Sequence, residues 1–545
     1  MMNDLLAQPN QEQKQESNHK LLYLILVISL VVSLIVVVIL IAFIGKTGEF
    51  KAFIKTVNIP NGIHLEGAHY LPNGKIFLHY YTDVNQTDFH AAVMDDNGRN
   101  FHDVYHGTYK PIYRSNGIRD IPFADNKRIL LGDYILECEE ELQKCHDKAK
   151  LIKIIYPPEF TNTSTLWLVW SEPIVSQDMK KLAWTMLDTK LGSVNFIADL
   201  SKNEEGYKLI NAKIISTLKL IDRDPSTGNI ILPPVRGGEI KQFVNGGSAV
   251  TLAGAGDYGL ARSVYQDLAS NNTYSITNKP NYDETTIMSP DEKLGITMST
   301  RFSPKTNMAI LGLIPVPHSF LVTSAMNIYA YTFSVSRVRT SLNGNIGPVL
   351  IDLNKSETDP SYMGINLHED ENWNFASPIS WHYSSTKAIF IEISKENSTK
   401  DQRRIRKVTL SHYLPGKKVP TRQTPDQIPY AIDSSEYFKV NKTDIVGTVT
   451  GKKSGQITFN ITSTYKYAEY KEYSDDGKTT FDGQITFENK NGVGYYRFSV
   501  QAKGEHKGSG NFALTFDRNS NIVWDQTSGS AEWDNQKIDV EIYKQ

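Results

Sequence analysis

LPNGKIFLHYY, residues 71–81, decides the fold, because the chain repeats it. Altered copies stand at FADNKRILLGDY (123–134), SQDMKKLAWTML (176–187), FVNGGSAVTLAG (243–254) and SPDEKLGITMST (289–300). HYSSTKAIFIEI (382–393) is a degraded sixth. Each copy is a tight polar turn followed by an apolar, strand-like run. The turn residue offers a side-chain oxygen to backbone amides, and the run behind it buries alternate side chains. Recurrence of one hairpin marks a stacked or radial β architecture.

The spacing sharpens this. The turn residue falls at Asn73, Asp125, Asp178, Asn245, Asp291 and about Ser385, giving gaps of 52, 53, 67, 46 and 94 residues. Four-stranded propeller blades run about 40–50 residues before insertions. The last gap holds either two blades or one blade with a long insertion. MAILGLIPV, NIYAYTFSVSRVR and GPVLIDL would supply strands for one enlarged blade. Six blades are expected over seven, within residues 45–412. A β-sandwich with similar hairpins is the competing reading, and regular spacing argues against it.

Turns of the Pro-Asp-Gly-Lys type followed by an Ile-Ala-Phe-like strand are the mark of TolB-like, WD40-related (PD40-type) propellers. SPDEKLGITM, SQDMKKLAWTM and LPNGKIFLHY resemble that repeat. The resemblance covers roughly residues 60–412 and implies a propeller fold. It departs from the pattern where Gly is lost in three copies and where Ser384 and Ser385 replace the acidic turn.

One segment is not that of a soluble protein. LLYLILVISLVVSLIVVVILIAFI, residues 21–44, is 24 residues long and uncharged. At ~1.5 Å per residue it reaches about 36 Å, enough to cross a bilayer with some tilt. It is too long for the apolar core of a cleaved signal peptide, and AFIGKTGEF offers no convincing cleavage site. The sequence therefore predicts a signal-anchor: a single-pass membrane protein with one transmembrane helix. A disordered polar tail (1–20) precedes it. Lysines flank the segment on both sides, so the positive-inside count does not orient it. An extracytoplasmic, extracellular bulk is preferred from the overall plan. The balance of 58 basic and 60 acidic side chains argues against a nucleic-acid partner.

After the repeats, YLPGKKVPTRQTPDQIPYAID (413–433) carries four prolines and few apolar anchors, and 413–442 reads as a linker. Residues 443–545 alternate cleanly, as in GQITFNITSTYKYAEY and VGYYRFSVQA, with turn signals between the runs. They predict an antiparallel β-domain, sandwich or small barrel. The fold class is thus mainly β throughout.

Two cysteines, Cys138 and Cys145, are spaced to close a small disulfide loop in an exported domain. Free thiols are the alternative, and two thiols alone make a poor zinc set. Sequons begin at Asn85, Asn162, Asn271, Asn354, Asn397, Asn441 and Asn460, near the number this composition gives by chance.

Motifs that name a reaction are missing. GAGDYG (254–259) matches GxGxxG but lies among β-repeats, where a tight turn is the better reading. GGSAV (246–250) fails the nucleophile-elbow pattern at its last position. Histidines gather between His64 and His106, but scattered strand and loop positions are the commoner case. The acidic run from His368 to Glu371 reads as a solvated loop rather than a calcium site. No metal or cofactor is expected.

The candidate site comes from the repeat itself. A propeller blade buries its first strand along a central channel, and a polar residue near the start of that strand faces whatever binds there. Upstream of the turns stand Glu66, Arg119 with Asp120, Glu172, Glu239, and Glu284 beside Asp283, with His69 closer to the first turn. Convergent charges perturb one another and suit ligand capture or acid/base work. Glu66, His69, Arg119, Asp120 and Asp283 are the expected ligand contacts. Trp167, Trp170, Trp373 and Trp381 are candidate stacking platforms for sugars, against a default of core packing. The bland alternative is that the charges pin blade to blade. The preferred function is binding of an unknown small-molecule, glycan or protein ligand at the channel mouth. The rival is an enzyme, because GIRDIPFADNKRILLGDYILEC and TTIMSPDEKLGITMSTRFSP faintly resemble secreted propeller proteins of the saponin-hydrolase type. That resemblance implies a hydrolase cleaving glycosidic bonds, with Glu172, Glu239 and Glu284 as the first catalytic suspects.

Overall fold

The computed structural model describes residues 26–33, 50–83, 88–108, 120–160, 173–188, 192–216, 218, 222–231, 238–255, 261–278, 282–302, 313, 346–395, 402–439, 444–462, 464–518 and 522–544. The repeated turns each join the first two strands of a four-stranded antiparallel sheet. Blade 1 is His64–Tyr70, Ile76–Tyr81, Phe89–Met94 and His102–Gly107. Blade 2 is Asp120–Pro122, Arg128–Leu131, Tyr134–Glu137 and Lys150–Ile155, and blade 3 is Ile174–Val175, Lys181–Asp188, Gly192–Asn203 and Gly206–Ile214. The outer strands of these two blades also pair in parallel, at Tyr207–Lys208 with Ile154–Ile155. Blade 4 is Glu239–Val244, Ala249–Ala255, Ala261–Asp267 and Thr273–Ser275; blade 5 is Asp283–Met288, Leu294–Ser299, Gly347–Asp352 and Ile365–Asn366. The 94-residue gap is therefore one blade with a long connection between its second and third strands.

Among the described residues blade 6 takes three strands from its own stretch of chain, Trp373–Trp381, Lys387–Ser394 and Arg403–Ser411. Its outer strand is Lys51–Val57, from the start of the chain. The ring is thus closed by joining the two ends of the repeat region in one sheet. The first strands of blades 1 and 2, 3 and 4, 4 and 5, and 5 and 6 neighbour one another, and that of blade 6 returns to that of blade 1. Apolar clusters fill the gaps between blades. Leu65, Ile76, Leu78, Ile389, Ile391 and Ile405 fill the one between blades 6 and 1. Trp184, Phe196 and Phe160 lie in that between blades 2 and 3. Each fully buried Leu, Ile or Phe side chain contributes about 1.5–3 kcal/mol.

The turns show why the motif tolerates its departures. Asn73, Asp125 and Asp178 each accept the amide two residues on, at 3.1, 2.9 and 3.2 Å. In blade 6 Ser384 fills this role for Thr386 at 3.3 Å, one residue before the position expected. The next residue is left-handed in every turn: Gly74, Asn126, Met179, Gly246, Glu292 and Ser385. Where glycine is lost, the new side chain reaches the preceding blade. Asn126 Oδ1 accepts from the Asn73 amide (3.1 Å), Glu292 Oε1 from that of Asn245 (2.6 Å) and Ser385 Oγ from that of Asp291 (3.1 Å). The Met179 sulfur takes Arg128 at 3.4 Å.

The Pro-rich segment is laid along these turns rather than hanging free. Asp291 Oδ2 accepts from the Gly416 amide (2.8 Å), the Pro290 carbonyl from Val419 (2.9 Å), that of Gly246 from Arg422 (2.8 Å), and Asp178 Oδ2 from Thr424 (2.8 Å). It ends by pairing Ile432–Asp433 with the outer strand of blade 3. Beyond it, eight antiparallel strands from Ile445–Thr450 to Gln536–Asp539 form one continuous meander. Its strands share a single core that includes Val449, Phe459, Tyr470, Tyr496, Phe512, Trp533 and Ile538. One sheet curled on one core is a barrel-like arrangement, which removes the sandwich alternative.

Within the segment expected to span a membrane, residues 26–33 are helical; residues 21–25 and 34–44 lie outside the described residues. Among the described residues no helix is long and apolar enough to cross a membrane. On this short helix Leu26, Val27, Ile28, Leu30, Val31 and Val32 are all exposed. Cys138 and Cys145 form a disulfide, and both are buried against Val104 and Leu142 beside blade 1. GAGDYG extends past the described residues, but the strands flanking it pair antiparallel, which is a hairpin and not the opening of a βαβ unit.

Candidate functional site

The first strand of a blade begins at one face of the ring, the rim, and ends at the repeated turn on the other. Four of these strands are irregular near the rim. Register shifts occur between Leu65 and Gly67, Ile240 and Gln242, Asp283 and Thr286, and Ala376 and Ile379. A bulge re-aims the extra side chain. In the first three the extra residues are Glu66, Lys241, and Glu284 with Thr285.

Four of the expected rim carboxylates are met by basic side chains. Glu66 pairs with Arg403 of blade 6 at 3.1 Å, and Arg403 also donates to the Glu66 carbonyl at 2.8 Å. Asp120, the first residue of blade 2, stands 2.8 Å from Nδ1 of His79 in blade 1, and both side chains are fully buried. Gly67 makes room for this pair, since a Cβ there would lie 2.5 Å from the His79 ring. Asp283 takes Arg301 at 2.9 Å, again fully buried. Glu239 pairs with Lys241 two residues on. His69 Nδ1 lies 2.9 Å from both the Tyr70 carbonyl and Ser380 Oγ of blade 6. A carbonyl only accepts, so Nδ1 carries the proton in that contact. Glu284 occupies the bulge beside Asp283. Arg119, Glu172, Trp167 and Trp170 lie outside the described residues. Trp381 is 8 % exposed and donates to the Ile287 carbonyl at 2.8 Å, so it joins blades 5 and 6.

A second charged group was not read from the sequence as a site. Along Arg403–Ser411 alternate residues face opposite blades. Arg403 and Ile405 turn to blade 1, and Arg404 and Arg406 turn the other way. On that side the fully buried Glu392 meets Arg404 at 2.6 Å, Arg406 at 3.5 Å and His368 Nδ1 at 3.1 Å. Arg404 also reaches Asp370 at 2.9 Å and covers the Trp373 ring at 4.0 Å. Burial works against the charged form of Asp370, but the Asn372 amide and Arg404 outweigh it and hold its carboxyl below the usual range. The signal available in the sequence was RRIR at 403–406, two arginine faces on one strand. Among the described residues no group of His, Cys, Asp and Glu is arranged to hold a metal ion.

This arrangement restrains the carboxylates. A carboxylate paired with a basic side chain is held in place, which suits fastening or electrostatic capture. A general acid needs the opposite, an environment that favours its protonated form.

No family model matches the chain, and no curated protein matches it. Solved structures similar to it include a putative TolB from Agrobacterium tumefaciens, at 10 % identity over 54 % of this chain and 74 % of that one, TM-score 0.31. TolB from Acinetobacter baumannii is 12 % identical over 61 % of each chain, TM-score 0.25. The oligogalacturonate lyase of Vibrio parahaemolyticus is 7 % identical over 66 % of this chain and 96 % of that one, TM-score 0.31. The assignment of a six-bladed β-propeller rests on the chain's own six four-stranded blades, two of them joined in one sheet, and on the return of the last blade to the first.

Proposed function

We propose that this chain is a membrane-anchored, extracytoplasmic binding propeller that captures a ligand or partner at its rim without catalysing a reaction. The observation that carries the reading is that Glu66, Glu239 and Asp283 are each paired with a cation, and that Asp120 is held against His79. Among the described residues this makes rigid, paired charge at the rim, which suits capture. The partly exposed Trp373, overlaid by Arg404 and flanked by Asp370 and His368, is the recognition surface we favour. An aromatic face beside fixed hydrogen-bonding groups suits a sugar or another flat polar ligand. The disulfide supports an oxidising compartment. The uncharged run 21–44 and the exposed apolar side chains of residues 26–33 support a lipid anchor.

The test is a glycan array and a panel of glycosides presented to purified residues 45–545. Binding without turnover is expected, lost in Trp373→Ala and kept in Glu239→Gln. Turnover that falls in Glu239→Gln or Glu284→Gln would replace this reading with the glycosidase one. Protease protection on intact cells tests orientation: digestion of the propeller from outside is expected.

A further inference from the structure

Two side chains of the propeller region are buried in the core of the C-terminal β-domain. Ile230 is 3 % exposed and Leu313 is not exposed at all, and both belong to the cluster formed by Phe459, Phe498, Phe512 and Trp533. Neither comes from a blade strand. Ile230 sits on a small hairpin, Asp222–Arg223 with Ile230–Ile231, in the connection from blade 3 to the first strand of blade 4. The hairpin is well built. Asp224 Oδ1 accepts the amides of Ser226 (2.7 Å) and Thr227 (3.0 Å), and Gly228 takes the left-handed conformation the turn requires. Leu313 lies in the long connection between the second and third strands of blade 5. In an antiparallel meander both connections leave from the end where first strands begin, which is the rim.

The C-terminal domain receives these side chains at glycines. Inward positions of Gly508–Phe516 run Gly508, Gly510, Phe512, Leu514 and Phe516, so one end of that strand has no side chain to fill the core. Leu313 fills it; a Cβ at Gly510 would lie 2.8 Å, and at Gly508 3.2 Å, from its methyl groups. Gly447 makes the same room for Ile230, whose side chain occupies the space a Cβ would need. Around that contact Arg223 donates to the Val446 carbonyl at 3.2 Å and Asn229 to Thr450 Oγ1 at 3.3 Å. The strap ends on blade 3, the blade whose outer strand leads into the Ile230 hairpin, so the chain enters the C-terminal domain beside its docking point.

We propose that the C-terminal β-domain is an intramolecular cap, docked on the rim side of the propeller by two apolar plugs, Ile230 and Leu313, seated in glycine notches. It follows that a ligand approaching the rim over blades 3 to 5 meets this cap. The docking stands on the two plugs and does not depend on what the rim binds.

The experiment uses residues 45–545 carrying Ile230→Ser, Leu313→Ser or both. Trypsin cleavage at Lys439 and Lys442, between strap and cap, is followed together with the radius of gyration by small-angle scattering. We expect each single variant to be cut several-fold faster than wild type. The double variant should be cut at least tenfold faster, with a larger radius and a released cap fragment that resists further digestion. Wild-type rates and radius in the double variant would overturn the proposal. So would complete digestion of the released fragment, because the plugs would then be part of the cap's own folding core.

Discussion

At the scale of single residues, the repeated turns hold more than a hairpin. Gly74 needs its lack of side chain, since φ is 86° and a Cβ would lie 2.5 Å from His382 of blade 6. Gly74→Ala should cost at least about 2 kcal/mol in chemical denaturation, from strained backbone and the displaced ring together. Ser385→Gly tests the reverse case. It relieves about 1 kcal/mol of left-handed strain but strips the Asp291 amide of its partner, a loss of about 1–3 kcal/mol. A net loss near 1 kcal/mol is expected, and a gain would mean the contact to blade 5 carries little. The turn residues themselves were legible, because Asn, Asp and Ser have a local reason to be there. Their cross-blade partners were not, because each lies about one repeat away and leaves no mark on local pattern. The same holds at the rim. Strand phase placed Glu66, but its partner Arg403 is 337 residues further on.

Among elements, the strap departs most from its sequence. Prolines and few apolar residues read as a free connector, yet its anchoring is through backbone amides, which composition does not reveal. Turn carboxylates hold it, and this makes it sensitive to acid. Burial disfavours the Asp178 anion, but Ser176, the Thr424 and Lys180 amides and the Thr424 hydroxyl outweigh this and lower its pKa. A carboxyl lowered in the folded state contributes stability above its unfolded value of about 3.9, and that stability is lost as pH falls through the folded value. Denaturation of the wild type should therefore steepen in pH dependence below about pH 4. Asp178→Asn should be less stable at neutral pH and show a flatter acid limb. An unchanged limb would mean that Asp178 does not hold the strap. The blade strands, by contrast, were readable from spacing alone, because each copy repeats the same local turn chemistry.

For the whole molecule, closure decides the outcome. Lys51–Val57 completes blade 6, so a chain beginning at Asn58 should leave that sheet with an open edge and melt over a broad range, as calorimetry would show. Neither the joining of the two ends nor the Ile230 and Leu313 plugs could be read in advance, since both are contacts between segments far apart in sequence. The central claim is that rim carboxylates are locked in structural pairs and are not poised for acid/base chemistry. Asp283→Asn tests it most directly, because Arg301 is fully buried against that carboxylate. Breaking one partner of such a pair costs about 3–5 kcal/mol. Equilibrium denaturation of Asp283→Asn should show a loss of that size, with no glycoside turnover in either protein. Wild-type stability in the variant, together with a glycosidase activity that disappears with Asp283, would contradict the account.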